Sequence, residues 1–204
     1  MKKRIAVDID DVLSTNAQDF VAYCNKTWGT RLTIDDYSDD WMTVWKVDAA
    51  EVKRRAAFFF ESGAMSDYDY LQESILVLKA LKNDYGYELV VVTSRNNVLI
   101  ELTAKWLERY FKGVFSEVHH AGMWDNYRSG SKHMTKTALC KAIGANYLID
   151  DQLKHCIDAA EAGISSLLFG EYAWNQSSEL PLGVTRVRDW DAVQVYFQNL
   201  QGKA

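Results

Sequence analysis

Proline, cysteine and long apolar runs are all scarce in this chain of 204 residues. The only proline is Pro181, so there is no Pro-rich linker. With no repeat or low-complexity tract either, the chain reads as one domain or one domain with a modest insertion. The cysteines, Cys24, Cys140 and Cys156, are odd in number, far apart and without a CxxC. That excludes a disulfide framework and a zinc site, fits a reducing compartment, and leaves each as a small core residue. No window reaches the length of a membrane span. Lys2, Lys3 and Arg4 mimic the start of a signal peptide, but Asp8, Asp10 and Asp11 interrupt the apolar stretch that should follow, so a cytoplasmic location is expected. Basic charge is also short: 23 Lys and Arg against 28 Asp and Glu give a net charge of -5. A nucleic-acid polymer or an anionic membrane is therefore not the expected partner. A small anionic substrate stays open, because a bound cation reverses the field locally. No GxGxxG follows the first apolar run, which sets aside a dinucleotide binder. Oligomeric state is not legible.

What is present suffices for a core: 48% of residues are hydrophobic and 25% charged. Seven Trp and eleven Tyr point to a well-filled core, an aromatic-lined pocket or both. Apolar runs at Arg4–Ile9, Leu89–Val92, Val114–Val118, Tyr147–Ile149 and Ser166–Phe169 predict strands. Helical spacing appears between them. It joins Ala17, Phe20, Val21, Cys24 and Trp28, then Leu71, Ile75, Leu78 and Leu81, then Leu99, Leu102, Trp106 and Tyr110. Leu139, Cys140 and Ile143 predict another helix, a further one ends near Gly163, and Asp189 to Leu200 a last. Thr33 to Phe60 reads as mostly helical. The alternation predicts an α/β fold, a Rossmann-like parallel sheet with helices on both faces. Ligands of such sheets sit beyond the carboxyl ends of the strands.

Four strand or helix boundaries carry reactive side chains. Asp8-Ile9-Asp10-Asp11 follows the first strand, and alternation sends Asp8 and Asp10 to the same side. Two crowded carboxylates call for a cation or a proton between them, though a solvated acidic loop is the plainer alternative. Thr93-Ser94-Arg95-Asn96 follows the strongest strand, where a hydroxyl and helix-start amides suit a phosphoryl group or simply an N-cap. Lys136 opens a helix, where a cation is normally disfavoured, with Lys132 and Lys141 as rivals. Asp150-Asp151 closes the fourth strand, and two acids there exceed what an N-cap needs.

Together these residues resemble the haloacid dehalogenase-like (HAD) hydrolase superfamily, and within it the small capped phosphatases related to the deoxyribonucleotidases. The resemblance covers nearly the whole chain. It implies a core of residues 1–13 and 66–204 and a helical cap, residues 14–65, inserted after the first strand. It also implies a nucleophile and magnesium ligand at Asp8, and a general acid/base at Asp10 with its backbone carbonyl on the metal. Thr93 would bind the phosphoryl group, with Ser94 and Arg95 beside it. Lys136 would neutralise charge between Asp8 and phosphate. Asp150 and Asp151 would serve the Mg²⁺ site, either one as the direct ligand. Asp11 departs from the glycine often found there. Asn16 and Ala17 stand where deoxyribonucleotidases tend to carry a base-stacking aromatic.

The chemistry is coherent. Mg²⁺ favours oxygen ligands and screens an anionic nucleophile from a phosphate monoester. An aspartyl-phosphate splits one hard step into two, with Asp10 moving the protons. The expected function is magnesium-dependent hydrolysis of a small phosphomonoester, a nucleoside monophosphate or alternatively a sugar or other metabolite phosphate. A catalytically silent metal-binding interaction module is the competing class. Trp41 and Trp45, four residues apart, share a helix face that either stacks on substrate or packs the cap; Phe58, Phe59 and Phe60 follow. Arg54 and Arg55 either reach a second anionic group or form a solvated face. His119 and His120 point to opposite sides of a strand and do not chelate one metal together. The loop Trp124 to Ser131 is a candidate rim.

Overall fold

The computed structural model describes residues 2–122 and 134–202. Six parallel strands form one sheet: β1 (Arg4–Val7), β2 (Glu88–Thr93), β3 (Glu117–His120), β4 (Tyr147–Asp150), β5 (Ser165–Phe169) and β6 (Val184–Val187), in the order β3-β2-β1-β4-β5-β6. The central strands are near-continuous apolar runs because both sheet faces are covered. Alternation along β1 sends Ile5 and Val7 to one face and Ala6 to the other. The first face packs against α4 (Glu73–Asn83), α5 (Ile100–Tyr110) and α8 (Trp190–Gln201) through Leu78, Leu81, Trp106, Trp190 and Phe197. The second packs against α6 (Lys136–Ala142) and α7 (Leu153–Glu161) through Cys140 and Ala159.

The order in which strands are added reverses between β1 and β4, which are parallel neighbours with Val7 opposite Ile149. This is the switch point at which a parallel sheet opens a crevice. Asp8, just past β1, and Asp150, the last residue of β4, are thereby placed side by side.

The segment between β1 and α4 holds α1 (Asn16–Trp28), α2 (Trp41–Trp45) and α3 (Ala49–Glu61). These helices build their own aromatic core around Phe20, Trp45, Phe59 and Tyr68. The stretch expected to be mostly helical is broken twice. Asp40 caps the five-residue α2, Lys46 ends it in the left-handed region at φ 52°, and the Asp48 carboxylate starts α3 by accepting the Glu51 N–H.

Two strand expectations change. The third strand lies at Glu117–His120 rather than Val114–Val118, because Gly113 turns at φ 69° and Val114 is buried in the helix-side core instead of pairing. β6 escaped notice because a four-residue Val-Thr-Arg-Val edge strand carries little apolar signal. Cys24, Cys140 and Cys156 are free and buried. Among the described residues, no helix is long and apolar enough to cross a membrane.

Candidate active site

The site begins where β1 runs out of apolar residues. Asp8 is 4% exposed, and its backbone N–H donates to the Ile149 carbonyl at 3.0 Å, continuing the ladder to β4. Lys136 Nζ lies 2.7 Å from Asp8 Oδ2 and 2.7 Å from Asp150 Oδ2. The lysine reaches this position from the first turn of α6, against the helix dipole, because two carboxylates outweigh that cost. Burial alone would lower the Lys136 pKa, but Asp150 and Asp8 raise it further, so the ammonium stays charged. The other carboxylate oxygen of Asp8, Oδ1, is buried without a hydrogen-bond partner.

Past Asp8 the chain folds into a tight turn, with the Leu13 and Ser14 N–H groups both donating to the Ile9 carbonyl. Asp10 swings toward Arg95, whose Nη2 lies 2.7 Å from Asp10 Oδ1 and whose Nε lies 3.0 Å from Oδ2. The guanidinium is 1% exposed, lies 5.8 Å over the Trp106 ring, and also donates to Thr103 Oγ1 at 3.4 Å. Arg95, expected beside the phosphoryl group, lines the cavity, with its guanidinium buried and forked on Asp10.

Asp11 sits in the left-handed region at φ 58°, and its carboxylate accepts the Ala17 N–H at 2.8 Å and the Asn16 amide at 3.1 Å. It thus caps α1 from six residues upstream. The same Asn16 amide donates to the Tyr37 hydroxyl at 2.7 Å. Spacing offered no signal for this linkage, because its partners come from separate elements.

At the end of β4, Asp150 Oδ1 accepts the Gln152 N–H at 2.9 Å while Oδ2 takes Lys136. Asp151 Oδ2 accepts the Trp174 indole N–H at 2.6 Å and the Gln152 side-chain amide at 3.0 Å. Asp8, Asp150 and Asp151 each offer one oxygen within 4.8 Å of the others. The Asp10 side chain is not part of that triad; Arg95 holds it away.

Within this cluster two buried cations face five carboxylates, and the acids show the imbalance. Burial first, then Asp150 and Asp10, push Asp8 up to about 7, even against Lys136. Burial likewise pushes Asp11 up to about 7, offset in part by the Ala17 N–H. Asp151 lies well above the carboxylate range, from burial and then from Asp150, Asp11 and Asp8.

The cluster floors a cavity of about 740 Å³ walled by both the sheet edge and the inserted helices. Ser94 and Asn96 line it, but Thr93 does not. Thr93, expected to bind the phosphoryl group, is fully buried as the last residue of β2, and its Oγ1 accepts the Arg95 N–H at 3.1 Å. Trp41 lines the cavity, stacked on Phe20 at 5.2 Å and 23°. Trp45 does not: it is 5% exposed, lies 5.0 Å from both Trp41 and Trp28, and donates to Cys24 Sγ at 3.3 Å. The two tryptophans share a face, but the short α2 lets Trp41 cover Trp45. Phe59 and Phe60 also line the cavity, whereas Phe58 is exposed. Arg54 and Arg55 are bound to Glu51, whereas Lys53 and Lys154 line the cavity along with Arg95 and Lys136. His155 is a wall residue that sequence reasoning missed; burial pulls its pKa down to about 4, leaving a neutral ring. Lys141 is exposed on α6. Lys132 and the Trp124 to Ser131 loop lie outside the described residues. His119 Nε2 lies 2.7 Å from Glu117 Oε2, and His120 Nδ1 lies 3.4 Å from the Arg95 carbonyl.

The family model of the 5' nucleotidase, deoxy (pyrimidine), cytosolic type C proteins matches residues 2–198. The chain belongs to this family. It is a HAD-like phosphatase, a hydrolase of phosphate esters. Solved structures agree on the fold. A predicted phosphatase from Clostridium acetobutylicum superposes with a TM-score of 0.69 at 16% identity, covering 98% of this chain and 99% of that one. A haloacid dehalogenase-like family protein from Streptococcus pneumoniae gives 0.68 at 13% identity, over 97% and 99%. A D,D-heptose 1,7-bisphosphate phosphatase from B. bronchiseptica, solved with magnesium and phosphate, gives 0.57 at 15% identity, over 99% of each chain. No curated protein matches the phosphatase significantly.

Proposed function

We propose that this phosphatase hydrolyses a nucleoside monophosphate through an aspartyl-phosphate on Asp8, with Mg²⁺ as its cofactor. The observation that carries the reading is Asp8 itself: one oxygen is held by Lys136 and the other is buried and unpartnered at the floor of the cavity. Once ionised, a carboxylate in that state is a poised nucleophile.

A divalent cation fits the residues present. The donor set is all oxygen, three carboxylates converge, and the raised pKa values of Asp8 and Asp151 mark negative charge that the protein leaves uncompensated. Asp8 and Asp151 would hold the ion, with Asp150 reserved for Lys136. When bound, the ion screens the nucleophile from the phosphate and polarises a phosphoryl oxygen.

The chain's own residues do the rest. Asp8 attacks phosphorus, and the bond to the leaving alkoxide breaks. Asp10, aimed by the Arg95 fork, delivers a proton to that alkoxide and then takes one from the water that cleaves the aspartyl-phosphate. Lys136 and Ser94 stabilise the phosphoryl oxygens, where transition-state charge is spread. Residues 14–65 act as a cap. The faces of Trp41, Phe20 and Phe60 suit a nucleobase, and the deoxy (pyrimidine) description of the family supports the same class. The family's cytosolic description supports a cytoplasmic location.

The test is phosphate release from a panel of nucleoside 5'- and 3'-monophosphates and sugar phosphates, with Mg²⁺ and with EDTA. Turnover should need Mg²⁺, favour nucleotides and vanish in a folded Asp8→Asn variant. Preference for sugar phosphates would redirect the substrate assignment. Mg²⁺ binding without turnover on any ester would favour a silent binding module.

A further inference from the structure

Asp151 is hydrogen-bonded by a loop that carries none of the four reactive groups described above. β5 ends at Phe169, and residues 170–176 return over the sheet edge. A buried group and a half-buried one clamp this loop. Asn175, fully buried, donates to the carbonyls of Asp151 at 3.0 Å and Phe169 at 2.9 Å. Arg186 of β6 donates to the Gly170 carbonyl at 2.7 Å and the Asn175 carbonyl at 2.7 Å. The clamp fixes Trp174, which stacks on Tyr172 at 4.5 Å with the planes 5° apart. Tyr172 in turn donates to the Asp11 carbonyl at 2.8 Å, tying the loop to the turn that follows Asp8.

Trp174 has two further contacts. Its indole N–H meets Asp151 Oδ2 at 2.6 Å, and its ring meets Tyr37 edge-on at 5.1 Å. Tyr37 belongs to the inserted segment and is bonded to Asn16, which is bonded to Asp11. One indole therefore touches an acid of the carboxylate triad on one side and the insertion on the other.

We propose that Trp174 is a positioning residue that aims Asp151 at the divalent cation and, through Tyr37, makes cation binding depend on how the insertion is seated. This rests on the magnesium reading above. Hydrogen bonds to Oδ2 from the Trp174 indole and the Gln152 amide fix the orientation of the carboxylate that joins the triad. Partners of this kind set ligand direction, and their loss typically weakens metal affinity by about 10- to 100-fold. An edge-on aromatic contact contributes about 0.5–1.5 kcal/mol, about 2- to 10-fold in an equilibrium constant. The Tyr37 contribution should therefore be the smaller one.

The experiment is calorimetric titration of the full chain with Mg²⁺ alone, paired with thermal unfolding. Trp174→Phe keeps a stacking ring and removes the N–H. It should bind Mg²⁺ at least about 10-fold more weakly while melting close to wild type. Tyr37→Leu should weaken binding less. The Trp174→Phe/Tyr37→Leu double variant should be no weaker than Trp174→Phe, because both act on one contact path. A purely structural role predicts a lower melting temperature with Mg²⁺ affinity unchanged, and that result overturns the proposal. Fully additive losses in the double variant overturn the coupling through Tyr37. A wild-type chain with no saturable Mg²⁺ binding overturns the magnesium reading and this proposal together. Wild-type binding with an unchanged Trp174→Phe overturns this proposal alone.

Discussion

Replacing Lys136 with methionine tests the electrostatic design of the site most directly. The change keeps an unbranched side chain of similar volume, so the packing loss is small. What it removes is a charge 2.7 Å from both Asp8 and Asp150, in a place where the lysine is 1% exposed. Taking one partner out of a buried ion pair costs about 3–5 kcal/mol, mostly because the remaining charges stay buried and alone. In a chain of 204 residues each kcal/mol moves the melting temperature by about 2–4 °C, so a fall of roughly 6–20 °C is expected at pH 8 in EDTA. The cost should shrink at pH 5.5. Burial already pushes Asp8 up to about 7, and without Lys136 the carboxyl protonates more readily and sheds its charge. The Lys136→Met/Asp150→Asn double variant should recover part of the loss by removing one of the stranded charges. Phosphate release should be abolished in both. The assay is calorimetric or fluorescence-detected unfolding at the two pH values. A Lys136→Met protein melting within about 2 °C of wild type at pH 8 would refute the claim that the Lys136 charge offsets the buried carboxylates beside it.

Other outcomes follow from the same geometry. Without divalent cation, Asp8 and Asp11 hold protons up to about pH 7 in the folded chain but release them near 3.8 when unfolded. Their stabilising contribution is therefore complete below about pH 4 and is lost as pH rises through 7. Buried neutral His155 acts in the opposite direction between about 4 and 6.5, because the unfolded chain binds the extra proton there. With the acids in the majority, the melting temperature in EDTA should fall from pH 5 to 7.5, and Mg²⁺ should flatten the slope; a rising profile in EDTA would contradict the charge imbalance. Arg95→Met should lower kcat by about 100-fold or more while KM moves little, since it frees Asp10 without touching the cavity's aromatic wall; equal effects on both constants would return Arg95 to substrate binding. Gly170→Ala should destabilise by at least about 1–2 kcal/mol, because φ is +78° and a Cβ would overlap the Tyr172 ring; an unchanged melting temperature would show that the loop after β5 is loosely held.

Much of this protein was legible without coordinates, and the reason is local. Parallel strands buried on both faces announce themselves as apolar runs, and the polar residue that ends such a run sits at the sheet's carboxyl edge by necessity. That is why Asp8, Asp10, Lys136, Asp150 and Asp151 were found at helix and strand boundaries. β6 and the true span of β3 were missed because edge strands need few apolar residues.

Sequence alone determined the strand-helix alternation and the inventory of reactive groups. Only the tertiary structure decided their pairing. Arg95 is spent on Asp10, Thr93 lies beneath the cavity wall, Trp45 belongs to the insertion's core, and Trp174 reaches Asp151 from 23 residues further along the chain. Periodicity reports which face a side chain leaves from, whereas a hydrogen bond between distant segments depends on where the whole fold brings them, and no window of sequence contains both partners.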